Sequence, residues 1–157
     1  MTIFKRVAAA AGLVLAGCLA AGQAHAAVSR SGAIGAFDGV DESAQACTTA
    51  KSFVTVPQMS RTFTVGGPGS VLVTFTGSAS LTGHTFGTGY VRLTIDNVEQ
   101  DPGKLPFVES GELSEAHAFT WQSKPLAPGS HTARVQWRAD PRLTFCLDAR
   151  SLVVLHR

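Results

Sequence analysis

The sequence predicts an all-β fold, a two-sheet antiparallel β-sandwich that carries one disulfide. Three observations predict it. Apolar and polar side chains alternate with a period of two in several short segments that are rich in β-branched and aromatic residues. Turn sequences containing Pro and Gly separate these segments. Beyond the first 26 residues the chain holds a single pair of cysteines, Cys47 and Cys146.

Residues 1–26 have the pattern of a bacterial export signal, with two basic residues followed by an apolar run. The tripeptide Ala24-His25-Ala26 provides the small side chains that signal peptidase requires. Leu15-Ala16-Gly17-Cys18 instead has the form of a lipobox, in which the cysteine is lipidated. We expect cleavage after Ala26 and a secreted, extracellular protein. A membrane-anchored lipoprotein, attached only through a lipid on Cys18, is the alternative.

Cleavage after Ala26 leaves 131 of the 157 residues, which is enough for one domain with a single core. Loss of Lys5 and Arg6 lowers the 13 basic residues to 11, equal to the 11 acidic residues. Because duplex binding depends on a basic excess, this balance argues against nucleic acid as a partner.

Cys47 and Cys146 are the cysteines that remain in an oxidising compartment, and we predict a disulfide between them. Its loop of roughly 100 residues corresponds to a stabilisation on the order of 4.7 kcal/mol in the chain-entropy model. Two separate buried thiols, or a metal site that uses them, are the alternatives.

Residues 27–46 are rich in Ala, Gly and Ser, which indicates a flexible N-terminal arm, so the sandwich domain is expected to span 47–157. Within it the alternation predicts strands at 53–56, 61–65, 71–78, 90–96, 116–121, 131–138 and 151–156, with further short strands near Thr85, Phe107 and Leu143.

The alternation also assigns side chains to faces. The predicted core side chains come from three strands: Val71, Val73, Phe75, Val91, Leu93, Ile95, Ala133, Val135 and Trp137. Their neighbours Tyr90, Arg92, Thr94 and Asp96 are expected to face solvent. Gly67-Pro68-Gly69-Ser70 and Ala127-Pro128-Gly129-Ser130 are both predicted to form type II turns.

The segment Leu126-Ala127-Pro128-Gly129-Ser130-His131-Thr132-Ala133-Arg134-Val135 resembles the turn and strand of secreted jelly-roll modules, including galactose-binding-like modules. This resemblance covers the C-terminal third of the chain. It implies a jelly-roll-like sandwich and carbohydrate or surface binding, and it transfers no binding residue.

Motifs for catalysis are absent from the sequence: it has no Gly-x-Ser-x-Gly elbow, no His-Glu-x-x-His and no phosphate-binding glycine loop. We therefore expect no enzyme activity, no cofactor and no metal. His84, His117 and His131 are the candidates for a metal or catalytic role. Two carboxylate clusters are interpreted as solvated acidic loops rather than calcium sites: Asp38, Asp41 and Glu42, and Asp96, Glu99 and Asp101.

Five residues are candidates for ligand binding. Arg92, Arg134 and Arg138 fall in the outward phase of two strands, which is typical of a solubilising face; the functional hypothesis is that they form a stripe for anionic envelope polymers. Tyr90 and Trp121 are the candidate exposed aromatic platforms for a sugar ring.

These observations predict an exported, non-catalytic binding or interaction module of the bacterial envelope or the extracellular space, with a glycan or an anionic polymer as its partner. One alternative is a carbohydrate-binding module that stacks a sugar on Tyr90 or Trp121. The other is a small secreted hydrolase that uses His84 or His131 with a nearby acid.

Overall fold

The computed structural model describes residues 36–84, 86–109 and 114–157, and these residues form ten β-strands and no helix. The export signal, Cys18 and the strand expected near Thr85 lie outside the described residues. No described segment is a helix that could cross a bilayer. The strands are β1 (Ala36–Glu42), β2 (Ala46–Thr48), β3 (Val54–Val65), β4 (Leu72–Gly83), β5 (Thr88–Ile95), β6 (Val98–Glu99), β7 (Leu105–Glu109), β8 (Glu115–Gln122), β9 (Gly129–Ala139) and β10 (Leu143–His156).

The strands form two antiparallel five-stranded sheets. In the first sheet the order is β1-β10-β4-β8, and β2 pairs with β10. In the second sheet the order is β3-β9-β5, and both β6 and β7 pair with β5. From β3 onward the chain crosses repeatedly between the sheets, which is the strand arrangement of a jelly roll. The predicted two-sheet sandwich is confirmed.

The core lies between the sheets and is filled by the side chains that the alternation assigned to it. All nine predicted core residues are at most 2% exposed, and Trp121, Phe145 and Leu152 pack among them. Thr94 corrects one assignment: it was expected to face solvent but is 3% exposed. Its hydroxyl donates to the carbonyl of Arg134 on β9, and this bond satisfies a polar group that would otherwise be buried without a partner.

The segment predicted as a flexible arm contains β1 and the start of β2. Strand β1 pairs with β10 from Ala36↔His156 to Glu42↔Arg150, so ordered structure begins earlier than residue 47. Backbone groups supply this pairing, and they do not require large apolar side chains. The small, polar composition of the segment therefore concealed a strand.

In two places, a pair of segments predicted as separate strands belongs to one continuous strand. The segments 53–56 and 61–65 belong to β3, whose register with β9 shifts between Thr55 and Ser60. The strand near Leu143 and the strand at 151–156 are both parts of β10, whose register with β4 shifts between Leu147 and Arg150. Strand β6 was not predicted because two residues are too few to show a period.

Arg150 connects both irregular regions. It is 4% exposed, and its guanidinium donates to the carbonyls of Ala44 (2.6 Å), Asp148 (3.0 Å) and Pro57 (3.3 Å). Burial lowers the pKa of this guanidinium below its ordinary value, while the charges of Glu42 and Asp148 raise it. Arg150 therefore joins the loop after β1, the bulge of β3 and the bulge of β10.

The predicted disulfide is confirmed: Cys47 on β2 and Cys146 on β10 are register partners and are bonded.

The predictions of the two type II turns hold in part. Gly129 has the predicted positive φ, at 138°, whereas Gly69 does not adopt one. Gly69 instead forms a two-bond bridge with Leu126 at 2.8 and 3.1 Å, which ties two loops together.

Candidate binding face

Four of the five candidate binding residues lie on one surface, the outer side of β5 and β9. Antiparallel pairing places Tyr90 opposite Arg138, and Thr94 opposite Arg134, while Arg92 faces Gln136. Outward side chains of paired strands are direct neighbours, so the predicted stripe is present as a geometric feature. We call this surface the basic face and define it as Phe53, Tyr90, Arg92, Lys104, Arg134, Gln136 and Arg138.

Tyr90 is half-buried and its ring carries two cations. The Cζ atom of Arg138 lies 4.2 Å from the ring centroid, and the Nζ atom of Lys104 lies 4.4 Å from it. These distances are within the range of a cation–π contact. The Tyr90 ring is therefore in contact with two cations, and it is not the uncovered stacking platform that the sequence predicted.

Phe53 is a part of this face that sequence reasoning missed. Its ring lies 4.3 Å from the Cζ atom of Arg92 and 5.7 Å from that of Arg138. Phe53 comes just before β3, far from both arginines in sequence, so no local pattern could reveal the contact. The two aromatic rings thus hold the guanidiniums of Arg92 and Arg138 against the sheet.

Polar contacts fix the same guanidiniums further. Arg92 donates from Nε to Gln136 Oε1 at 2.8 Å and forms an ion pair with Glu99. Arg138 donates to Asp140 Oδ1 at 3.1 Å. A guanidinium has five N–H donors, so each arginine keeps donors that have no partner among the described residues.

Positive charge exceeds negative charge on this face. Arg134 donates to the neutral Asn97 amide oxygen at 3.2 Å, and Lys104 makes its contact with a ring. The four cations of the basic face thus meet two carboxylates, Glu99 and Asp140, in ion pairs, and Arg134 also interacts with the charge of a third carboxylate, Asp96. The face is suited to a ligand that carries negative charge.

The prediction that Trp121 is an exposed platform for a sugar ring is wrong. It is 1% exposed, and its ring packs against that of Phe119 with centroids 4.7 Å apart. Trp121 points inward from β8, in phase with Phe119, and the alternation of that strand would have placed it in the core. A ring in this position contributes to stability and is not accessible to a ligand.

The three candidate histidines do not come together. His84 is exposed after β4, while His117 lies on β8 with its ring 5.3 Å from that of Phe107. His131 is bonded at both nitrogens, from Nδ1 to Asp96 at 2.6 Å and from Nε2 to the carbonyl of Ala127 at 2.8 Å. The described residues contain no group of three His, Cys, Asp or Glu side chains that could hold a metal ion.

The hydrogen bonds of His131 also shift its pKa. The bond to Asp96, with that to Ala127, raises the pKa of His131 above its ordinary value of 6.5. Desolvation raises the pKa of Asp96, but bonds from His131 and Thr132 outweigh it and lower that pKa below 3.8. A general base needs a free nitrogen lone pair, and both ring nitrogens of His131 are already engaged, one with Asp96 and one with the carbonyl of Ala127. This geometry disfavours the hydrolase alternative at His131.

The carboxylate clusters are divided among separate partners. Asp38 contacts His156 at 3.1 Å and Arg61 at 3.6 Å. Asp96 binds His131, and Glu99 pairs with Arg92. These contacts favour structural roles for the carboxylates over a shared calcium site.

Two cavities lie away from the basic face. One of about 570 Å³ lies beside the β10 bulge and is lined by Asp41, Thr76 and Ser151, among others. The other, of about 470 Å³, lies at the 67–70 loop and is lined in part by Leu72 and Leu155. The basic face itself lies on the outer surface of β5 and β9.

Comparisons with known proteins give remote structural likenesses. No family model and no curated protein matches the chain. A Paenibacillus sp. cycloisomaltooligosaccharide glucanotransferase, solved with cycloisomaltoheptaose, is 20% identical over 74% of this chain and 18% of its own, with a TM-score of 0.40. A family 35 carbohydrate binding module from Clostridium thermocellum is 13% identical over 73% of this chain and 97% of its own, also at 0.40. Dimeric latent PorU from Porphyromonas gingivalis is 11% identical over 82% of this chain and 14% of its own, at 0.42.

The chain thus spans less than a fifth of the first and third of these proteins. The fold assignment itself rests on the strand order of the two sheets.

Proposed function

We propose that this chain is an exported, non-catalytic binding module that binds an anionic glycan through its basic face. The observation that carries the proposal is the pair of guanidiniums, Arg92 and Arg138, supported by the rings of Phe53 and Tyr90. A guanidinium matches a carboxylate or sulfate group with two parallel hydrogen bonds. Free donors on a fixed, net positive face are what such a ligand requires.

Preorganisation supports this role. An arginine side chain carries about 2 kcal/mol of rotamer entropy, part of which is lost when it is held in one geometry. On the basic face the rings, Gln136, Glu99 and Asp140 have already restricted both side chains. Ligand binding therefore loses less entropy than it would with two freely moving arginines.

Retention on immobilised polysaccharides tests the proposal. We expect the wild-type protein to be retained by polygalacturonate at low salt, to elute as salt screens the charges, and to pass through a column of neutral dextran. Arg138→Gln should weaken binding to polygalacturonate about tenfold or more, because it removes a charged hydrogen-bond donor. Arg157→Gln is the matched control: it makes the same change in charge at an exposed residue outside the basic face.

Equal retention of the two variants would contradict the proposal, as would the absence of retention on polygalacturonate. Retention on neutral dextran that is lost in Tyr90→Ala would favour the alternative, a module that stacks neutral sugars on Tyr90. That alternative requires a face of the ring that neither Lys104 nor Arg138 covers.

Export is part of the proposal and has its own test. A disulfide between Cys47 and Cys146 fits an oxidising compartment. Mass spectrometry of the mature N-terminus should find a free Ala27, whereas an acylated Cys18 would indicate the lipoprotein alternative.

A further inference from the structure

The hairpin between β5 and β6 brings a carboxylate of the chain itself onto the basic face. Asp96 and Asn97 have positive φ values of 50° and 68°, as the central residues of a two-residue hairpin turn require. The hairpin makes Glu99 the register partner of Thr94, which is two residues along β5 from Arg92. From this position the Glu99 carboxylate accepts a hydrogen bond from Arg92.

This ion pair uses the donors that a ligand carboxylate would need. A guanidinium can offer two parallel N–H donors to a carboxylate, either through Nε and Nη2 or through Nη1 and Nη2. Nε of Arg92 is already bonded to Gln136 at 2.8 Å, so the second arrangement remains. That arrangement includes Nη1, the nitrogen that donates to Glu99. An acidic group of a ligand and the Glu99 carboxylate therefore require the same donor.

The ion pair of Arg138 is anchored in a way that the pair of Arg92 is not. Asp140 accepts from Arg138 through Oδ1 at 3.1 Å and from the backbone N–H of Thr88 through Oδ2 at 3.2 Å. The Glu99 carboxylate has no second donor within the described part of the chain. Glu99 can therefore leave its arginine by a side-chain rotation, whereas Asp140 is also held by the backbone.

The exposure of the pair keeps the cost of such an exchange small. The side chain of Glu99 is 44% exposed and that of Arg92 is 27% exposed. Ion pairs at exposed positions change an equilibrium constant by at most about fivefold. The ring of Phe53, 4.3 Å from Cζ of Arg92, and the amide of Gln136 still hold the guanidinium after Glu99 has left.

We infer that Glu99 is an internal competitor of the ligand: its carboxylate occupies Arg92 in the free protein, and an acidic group of the ligand replaces it there. The inference rests on the proposed function and adds to it a residue that sets affinity and selectivity. A hydroxyl group binds a guanidinium more weakly than a carboxylate does, so a neutral sugar does not displace Glu99. The competitor thus favours acidic ligands over neutral ones.

Calorimetric titration of the mature protein with trigalacturonic acid at low salt tests this inference. Glu99→Gln should bind the trimer about threefold to fivefold more tightly than the wild-type protein, because a neutral amide competes less well for Arg92. Glu99→Asp keeps the charge but shortens the side chain by one methylene group. Its carboxylate reaches Arg92 less well, so this variant should also bind more tightly than the wild-type protein.

Glu115→Gln is the matched control. It makes the same chemical change at an exposed residue, the first residue of β8 in the other sheet. Its affinity should equal that of the wild-type protein, which would show that the change in net charge alone does not account for the gain. Thermal unfolding verifies that each variant folds, and Glu99→Asp provides the answer if Glu99→Gln does not fold.

The possible failures of the inference and of the proposed function differ in this experiment. If the wild-type protein binds the trimer and Glu99→Gln binds it equally or more weakly, the inference is overturned and the proposed function stands. Equal affinities of Glu99→Asp and the wild-type protein would assign any gain in Glu99→Gln to charge acting at a distance, and would also overturn the inference. No binding by the wild-type protein or by either Glu99 variant would overturn both.

Discussion

Arg150 shows how one side chain can hold together segments that no sequence pattern connects. Its charge is matched by carbonyl oxygens from three places in the chain rather than by a single carboxylate. No pattern in the sequence marked Arg150 as a buried residue. Its burial became visible only when the bulges of β3 and β10 were seen to meet.

Replacing Arg150 by Lys should lower the free energy of unfolding by about 2–3 kcal/mol, because an ammonium group cannot span the same carbonyls and leaves some of them unsatisfied. Urea unfolding measures this difference. Arg142→Lys, at an exposed turn residue, is the control and should change stability by less than about 0.5 kcal/mol. Equal stability of the two variants would show that the carbonyl contacts of Arg150 are not important.

The pair of His131 and Asp96 makes stability depend on pH. Because the folded pKa of His131 is raised, its contribution is complete below about pH 6.5 and is lost as pH rises through the folded value. Because the folded pKa of Asp96 is lowered, its contribution is complete above about pH 3.8 and is lost as pH falls through the folded value. The pair therefore stabilises the fold most between these limits.

Urea unfolding at about pH 5.5 and about pH 8.5 tests this account. The wild-type protein should lose more stability between these pH values than Asp96→Asn, which keeps the side-chain shape and removes the charge. The difference between the two proteins isolates the pair from the other histidines. An identical pH dependence in both proteins would contradict the assignment.

At the scale of elements, most of what could be predicted about the strands came from the alternation of apolar and polar side chains with a period of two. It placed the inward residues of β4, β5 and β9 correctly because each of these strands has one face in the core. The same rule, applied to Phe119 and Trp121, would have buried Trp121. The rule could not find β1, whose pairing depends on backbone groups, or the contact of Phe53 with Arg92, which joins distant segments.

Strand β2 has three residues and is connected covalently to β10 through Cys47 and Cys146. Replacing both cysteines by Ser should lower the free energy of unfolding by about 4 kcal/mol, because the unfolded chain regains the freedom of a loop of 99 residues. Comparing urea unfolding of the double variant with that of the wild-type protein measures the effect. An unchanged midpoint and slope would show that the disulfide does not restrict the unfolded chain.

At the scale of the whole molecule, the two outer faces of the sandwich differ in chemistry. The second sheet presents guanidiniums supported by Phe53 and Tyr90, and the first sheet presents hydroxyl and aliphatic groups. The sequence predicted the fold and the positions of Arg92, Arg134 and Arg138. It could not predict the support beneath them, because this support comes from residues brought together by folding.

The measurement that tests the central claim most directly is an NMR titration of the ¹⁵N-labelled protein with a short oligomer of galacturonic acid. We predict shifts in the Nε–Hε signals of Arg92 and Arg138 and in the amide signals of neighbouring residues on β5 and β9, while the outward residues of β4 and β8 stay unchanged. Shifts that cluster on β4 and β8, or no shifts at a large excess of oligomer, would contradict the assignment of the basic face as the ligand-binding surface.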